Sequence, residues 1–438
     1  MSSQASAARW NPWTDRGFLL FSGGNVVNNV GEAIYNIALP LLAYQVTGSL
    51  VVMSLLAALV PATLVLGPLV GVAVDRYGAG RLLLLGLLVQ LAAGTVLNLL
   101  ALSSSVSLPL VFLAAATVQI GGTAYRAGWM AGVATMFPKD SSRARGSLGT
   151  LYVGTGIAGA ALVGLLLPLT GYQVLLWLNV ATFLAPLAVY VLGVRPAPAS
   201  SDGTARSLRR ELAIGFQTIR RHPQLLGGML AVTPLLFVAS GGLVALLTFF
   251  LLGDLRFAAS TVGYLLALVR LGSLAGTIVV SQARNFRPRR VIHGSAVVMG
   301  VALLAISVGN RPIVVAALFA LFSAIGAMSV MADMLVFQYV PADLLGRASG
   351  ALSLVEGAPG LVAPLLIPVI TELTGRSGAF AVLGLVALSA LFLGRSASPE
   401  PMPEISLNSP AAPPRGGRRG QDLEPGSVSS KPEQEFGR

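Results

Sequence analysis

The sequence predicts an all-α integral membrane protein with twelve transmembrane helices in two pseudo-symmetric six-helix bundles. Three observations carry that prediction. Hydrophobic residues fill 55% of the 438 positions and charged residues 11%, against about 25% charged in an ordinary soluble domain. So little polar surface cannot clothe a globule of this size in water, so lipid must surround most of the chain. The apolar residues also gather into continuous runs near 18–46, 50–74, 82–103, 108–136, 146–169, 173–194, 224–252, 261–282, 291–309, 312–339, 346–372 and 378–395. Each is close to the ~20 residues that cross the hydrocarbon core. Continuous runs are helices rather than strands, because only helices and closed barrels satisfy every backbone group in lipid. Finally, the basic residues alternate. Loops after the even spans hold sixteen, from Arg76 and Arg81 through Arg220 and Arg221 to Arg289, Arg290 and Arg347, whereas loops after the odd spans hold only Arg256, Arg311 and Arg376. The positive-inside rule then puts both termini and the even loops in the cytoplasm.

Composition also excludes several chemistries. There is no cysteine, so no disulfide framework, thiolate metal site or cysteine nucleophile. The two histidines, His222 and His293, stand far apart beside arginine-rich loops. Neither a metal nor any other cofactor is expected. The net charge of +12 is spread in short runs between apolar segments without interleaved aromatics, which is not the footprint of nucleic-acid binding. The expected partners are the bilayer and a small molecule, and the chain is expected to be a monomer. Arginine so far outweighs its two lysines that a GC-rich bacterial genome, and hence a bacterial plasma membrane, is the expected setting. Residues 1–17 lack the apolar core of a cleavable signal peptide.

The spans divide six and six. Residues 1–17 read as a cytoplasmic N-terminal segment, 18–194 as the first bundle, 195–223 as a cytoplasmic linker and 224–395 as the second bundle. Residues 396–438, rich in Pro, Ser, Gly and mixed charge, read as a disordered cytoplasmic tail. Within the linker, Leu208, Leu212, Ile214, Phe216 and Ile219 lie between arginines, the pattern of an amphipathic helix on the membrane surface; a plain solvated connector is the other reading. An internal repeat is visible. Span 4 ends in Phe137-Pro138-Lys139-Asp140 and span 10 in Val340-Pro341-Ala342-Asp343, each followed by arginine and a Gly-rich helix, at an offset of about 203 residues.

Ionisable groups at mid-span cost several kcal/mol, so each points to function. Asn25, Asn28, Asn29, Glu32 and Asn36 recur in span 1 at steps of one to four, which puts a polar stripe on one helix face. Span 4 offers Gln119, Thr123 and Arg126. Arg126 is the natural partner of Glu32, because a buried guanidinium requires a carboxylate or several acceptors. Two readings of that pair stand: a proton carrier, with burial and Arg126 pulling the Glu32 pKa in opposite directions, or a permanent ion pair that fixes packing. In the second half, Asp333 of span 10 and Glu356 of span 11 are candidates for substrate contact or a second protonation site, with Arg270 of span 8 a neutralising partner and a further cavity candidate. Tyr35, Tyr125, Trp129, Tyr152, Tyr264 and Phe337 are candidate cavity aromatics, though spacing does not separate cavity from core. The stripes Gly67/Gly71, Gly156/Ala160/Gly164 and Gly272/Gly276 read as close helix packing.

Between spans 2 and 3 the chain reads Gly71-Val72-Ala73-Val74-Asp75-Arg76-Tyr77-Gly78-Ala79-Gly80-Arg81. This resembles the loop motif of the major facilitator superfamily: Gly, three residues, Asp, Arg, one residue, Gly, then bases. Bases are missing at Ala79 and Gly80. The stretches 31–49, 209–223 and 340–352 resemble the branch of drug, macrolide and siderophore exporters. The resemblance implies the major facilitator fold, alternating access, and an acid in span 1 paired with an arginine in span 4. It also implies that Asp75, at a helix end, faces the start of span 11 near Arg347 and latches the halves when the outer gate is open, with Gly71, Arg76, Gly78, Arg81 and Arg347 completing the gating motif; a simple interfacial charge is the alternative for Asp75. The Gly-rich run of span 5 departs from the family's antiporter motif, because it lacks the Gly-Pro step. The resulting expectation is a proton-coupled secondary exporter of a small amphipathic organic compound, such as a drug or secondary metabolite. A sugar or nutrient importer is the rival within transport, and a membrane enzyme or non-transporting membrane protein the rival outside it.

Overall fold

The computed structural model describes residues 12–102, 107–137, 141–196, 213, 216–217, 219–282, 288–339 and 345–397. Among them every regular element is a helix. Eight helices are individually long and apolar enough to cross a membrane. Two of these are double-length: Ser141–Thr182 breaks at Gly171 (φ 75°, ψ 175°) and Leu345–Ala397 at Gly375 (φ 73°, ψ 171°). Only glycine adopts that backbone without cost, so each break is a sharp turn joining two spans. A further crossing is the pair Leu50–Val65 and Gly67–Tyr77, bent by 42° where Pro68 has no N–H to continue the ladder. The twelfth is Arg16–Thr47, whose mean hydropathy its asparagines and Glu32 hold down. Asp15 caps this helix by accepting a hydrogen bond from the Phe18 N–H at 2.9 Å.

Spans 3 and 4 are Ala79–Leu102 and Leu108–Met136, and span 6 ends with Leu184–Val191. In the second half span 7 is Pro223–Val238 continued by Gly241–Gly253, a break the sequence reading did not foresee. Spans 8, 9 and 10 are Ala259–Gln282, Pro288–Ser307 and Arg311–Tyr339. The internal repeat extends to the backbone. The two double-length helices begin at Ser141 and Leu345, 204 residues apart, and Gly171 and Gly375 share that interval and nearly the same dihedral angles. Of the linker, Phe216, Gln217 and Ile219–Arg221 are helical; Ile219 is buried in the apolar core and Arg220 is exposed.

Lipid gives helices no hydrophobic reason to associate, so small residues and close backbones do the work. On span 8, a Cβ at Gly272 would stand 2.7 Å from the Phe319 carbonyl oxygen, and one at Gly276 would collide with the Ser323 carbonyl, both on span 10. The stripe at Gly67 and Gly71 behaves otherwise, since a Cβ at either would meet nothing.

The halves touch between mid-depth and the end far from both termini. At that far end the Tyr44 ring of span 1 meets the Phe249 ring of span 7 edge-on at 5.5 Å. Span 2 lays the Ala57 carbonyl 3.0 Å from where a Gly241 Cβ would sit, and a Gly263 Cβ would lie 2.7 Å from the Gly164 nitrogen. Phe249 is held from behind by the Arg376 guanidinium at 4.7 Å, itself paired with Asp254.

A Cβ built at Gly241 lies 3.2 Å from that of Ala57, close to the ~3.8 Å of a disulfide, and the chain contains no native cysteine. The double variant Ala57→Cys, Gly241→Cys should therefore cross-link the halves under mild oxidant. After proteolytic cleavage of the linker, the halves should migrate together on a non-reducing gel and separate on addition of reductant.

Candidate functional site

The polar stripe of span 1 does not face one environment. Asn28 lies between Gly24 and Gly31 on the face packed against span 6, where a Cβ at Gly24 would sit 3.1 Å from the Pro186 Cα. Asn28 is fully buried there, and its amide finds no partner among the described residues. Asn25 is buried beside span 4 and accepts a 2.9 Å hydrogen bond from the Tyr125 hydroxyl. Glu32 and Asn36, one turn apart, turn toward span 4. Arg126 Nη2 donates to Glu32 Oε1 at 3.2 Å, and Gln119 Nε2 donates to Asn36 Oδ1 at 3.2 Å. Asn29 is half-buried. Thr123 bonds back to the Gln119 carbonyl at 3.0 Å, the usual resting place of a helical threonine.

The Glu32–Arg126 pair is partly open, with 21% of the Glu32 side chain and 41% of the Arg126 side chain accessible. Its depth follows from span 5. A Cβ at Gly159 would touch Ala33 and the Val30 carbonyl of span 1, and one at Gly156 would approach only Arg270 of span 8, at 4.0 Å. Gly156 stands fifteen residues from Ser141 and fifteen from Gly171, about 22 Å from either end at helical rise. Glu32, Arg126 and Arg270 therefore ring one level near the middle of the membrane-spanning length. Tyr152, one turn from Gly156, is exposed there, and Arg270 is exposed too.

Several expected lining residues lie elsewhere. Tyr35 is 3% exposed and packed into the large apolar core. Tyr125 and Trp129 line a small pocket inside the first bundle, shared with Phe21, Leu83, Pro186 and Tyr190, and Trp129 stacks on Phe21 at 5.6 Å. Tyr264 lies over Gly164 in the far-end contact. Tyr35, Tyr125 and Trp129 are buried whereas Tyr264 stays half exposed, and on helices apolar all round sequence spacing carries no distinction between lining and packing. The side chains of Asp75, Asp333, Phe337, Arg347 and Glu356 lie outside the described residues. Within the gating motif, Gly78 takes a φ of 86° and closes span 2 by bonding the Val74 carbonyl, while Arg76 and Arg81 are exposed. The sequence reading missed the Tyr44–Phe249 contact. It missed the pairing of Asp254 with Arg376 as well.

Removing either member of the central pair leaves the other charge uncompensated at mid-depth. Because Arg126 is partly accessible, the full cost of breaking a buried pair does not apply. Glu32→Gln or Arg126→Gln alone should each destabilise the detergent-solubilised protein by about 1–2 kcal/mol. The double variant should lose less than the sum, as read by thermal unfolding of all four proteins.

The Major Facilitator Superfamily pattern matches residues 21–362. Among solved structures, a POT family transporter in complex with a thioalcohol-conjugated peptide aligns at TM-score 0.68 and 13% identity, over 87% of this chain and 95% of its own. The nucleoside transporter NupG aligns at TM-score 0.66 and 11% identity, over 86% and 99%. A bacterial homologue of the iron transporter ferroportin, in its inward-facing state, aligns at TM-score 0.64 and 16% identity, over 86% and 96%. At such identities these likenesses speak to fold alone. No curated protein matches. With a family pattern across most of its length and the fold to match, the chain belongs to the Major Facilitator Superfamily and is a multi-pass membrane transporter.

Proposed function

We propose that the chain is a secondary active exporter that moves a small amphipathic organic compound across the bacterial plasma membrane, driven by protons through alternating access. The observation that carries this reading is the Glu32–Arg126 pair, at 3.2 Å and partly accessible, near mid-depth where transporters built from repeats hold their substrates and coupling ions. In this reading Glu32 carries the coupling proton and Arg126 is the partner it parts from and rejoins. The sixteen-to-three division of basic residues supports cytoplasmic termini. In that orientation the far-end contacts close the outer side, and the described conformation is inward-facing. Export rather than import rests on the stretches that resemble drug and siderophore exporters, and the few charges around an otherwise apolar lining suit an amphipathic cargo. Asp75 is the proposed latch of the opposite, outward-open state. Nothing here calls for a cofactor beyond the proton gradient, and a monomer is the proposed working unit.

The test is transport of an amphipathic dye panel in proteoliposomes under an imposed pH gradient. The wild type should accumulate dye in a gradient-dependent way. Glu32→Gln should abolish the response to the gradient while leaving slow exchange between equal dye concentrations; equal responses in both proteins would remove the coupling role.

A further inference from the structure

The central level holds two guanidiniums, and the described partners account for only one face of one of them. Arg126 engages Glu32 through Nη2 alone. A guanidinium carries five N–H donors, and 41% of the Arg126 side chain stays accessible. Arg270 is exposed at the same depth and has no ion pair or hydrogen bond among the described residues. Between them runs the small-residue face of span 5, where a Cβ at Gly156 would approach nothing nearer than Arg270 Cδ at 4.0 Å. The phenol of Tyr152 stands one turn away on the same helix.

The helical positions of Asp333 and Glu356 stand apart from that of Arg270. Spans 8 and 10 run side by side in the same direction, with Gly272 against Phe319 and Gly276 against Ser323. Asp333 follows Phe319 by fourteen residues, about 21 Å further along span 10 at helical rise, well beyond the reach of an arginine at the Phe319 level. Glu356 belongs to span 11, one turn from Gly360, whose Cβ would contact Pro61 of span 2 at 3.1 Å. The contact of span 2 with span 11 and the contact of span 5 with span 8 are separate seams between the halves, and Arg270 belongs to the second. An arginine at mid-depth with no carboxylate bonded to it among the described residues is expensive in a membrane, and its fork geometry is matched to a planar oxyanion.

We propose that Arg270, together with the free donors of Arg126, forms an anion-binding clamp across the Gly156 face of span 5, so that the cargo is an amphipathic organic anion held by its carboxylate. Tyr152 is placed to donate a further hydrogen bond, and the open space over Gly156 admits the carboxylate while Glu32 stays paired. This deepens the transport reading above and rests on it for the word cargo, but the clamp is tested by binding alone, without a gradient.

The probes are a carboxylate-bearing xanthene dye, its neutral methyl ester and a cationic amide of the same ring system, titrated into the purified full-length protein in detergent and followed by fluorescence anisotropy. The wild type should bind the anion about tenfold more tightly than the ester, the effect of one charge-assisted contact, and the cation most weakly. Arg270→Gln should bring anion and ester within about twofold of each other. Gly156→Leu, which fills the space between the guanidiniums, should do the same, and Arg270→Lys should retain part of the preference. The proposal is overturned if folded wild type shows no carboxylate-dependent binding, if it prefers the ester or cation, or if both Arg270→Gln and Gly156→Leu keep the preference. Loss of gradient-driven transport with the anion preference intact would instead count against proton coupling and leave the clamp standing.

Discussion

Hydrocarbon offers a peptide group no hydrogen-bond partner, and that constraint orders everything else in this molecule. Each crossing must be a helix that satisfies its own backbone, so departures from helix are confined to residues built for them. Gly171 and Gly375 make the turns between paired spans with a conformation other residues avoid. The bend in span 2 falls where Pro68 cannot donate. Because lipid provides no drive for helices to associate, close approach must come from small residues such as Gly272 and Gly276 against the backbone of span 10. Polar side chains are then turned inward, and the bundle acquires a polar middle.

That middle is economical. Glu32 and Arg126 come from different helices of one bundle, so the pair also ties span 1 to span 4, with the Gln119–Asn36 and Tyr125–Asn25 hydrogen bonds as further ties. Arg126 and Asn36 keep one side accessible, whereas Asn25 and Asn28 are sealed between helices. One stripe of sequence therefore serves two ends: its buried members fix the packing of the first bundle and its accessible members line the region where the halves face each other. Partial accessibility tempers the cost of holding both charges at mid-depth.

Much of this was legible before any coordinates. The number of spans follows from lipid thickness and rise per residue, and the repeat from matching breaks near Pro138 and Pro341. The pairing of Glu32 with Arg126 could be read because each charge alone would be intolerable, so two lone charges in one bundle imply each other. The aromatics resisted the same logic. Tyr35 and Trp129 carry no charge that demands a partner, and a helix that is apolar all round gives no sign of which side meets protein. Contacts between the halves, such as Gly263 on Gly164, depend on the relative tilt of rigid bundles and leave no local trace. The break in span 7 at Ala239 and Ser240 was hidden because Pro234 sits inside a continuous apolar run.

The seam that shuts the far end has a thermodynamic character of its own. Among the described residues its contacts between the halves are rings, glycine backbones and proline, while the Asp254–Arg376 pair lies wholly within the second bundle. Dissolved salt has no charge to screen across such a seam, so added electrolyte should leave the ease of parting the halves nearly unchanged. Close packing of small residues holds it instead, so added bulk at Gly241 or Gly263, rather than ionic strength, sets how readily the halves part there.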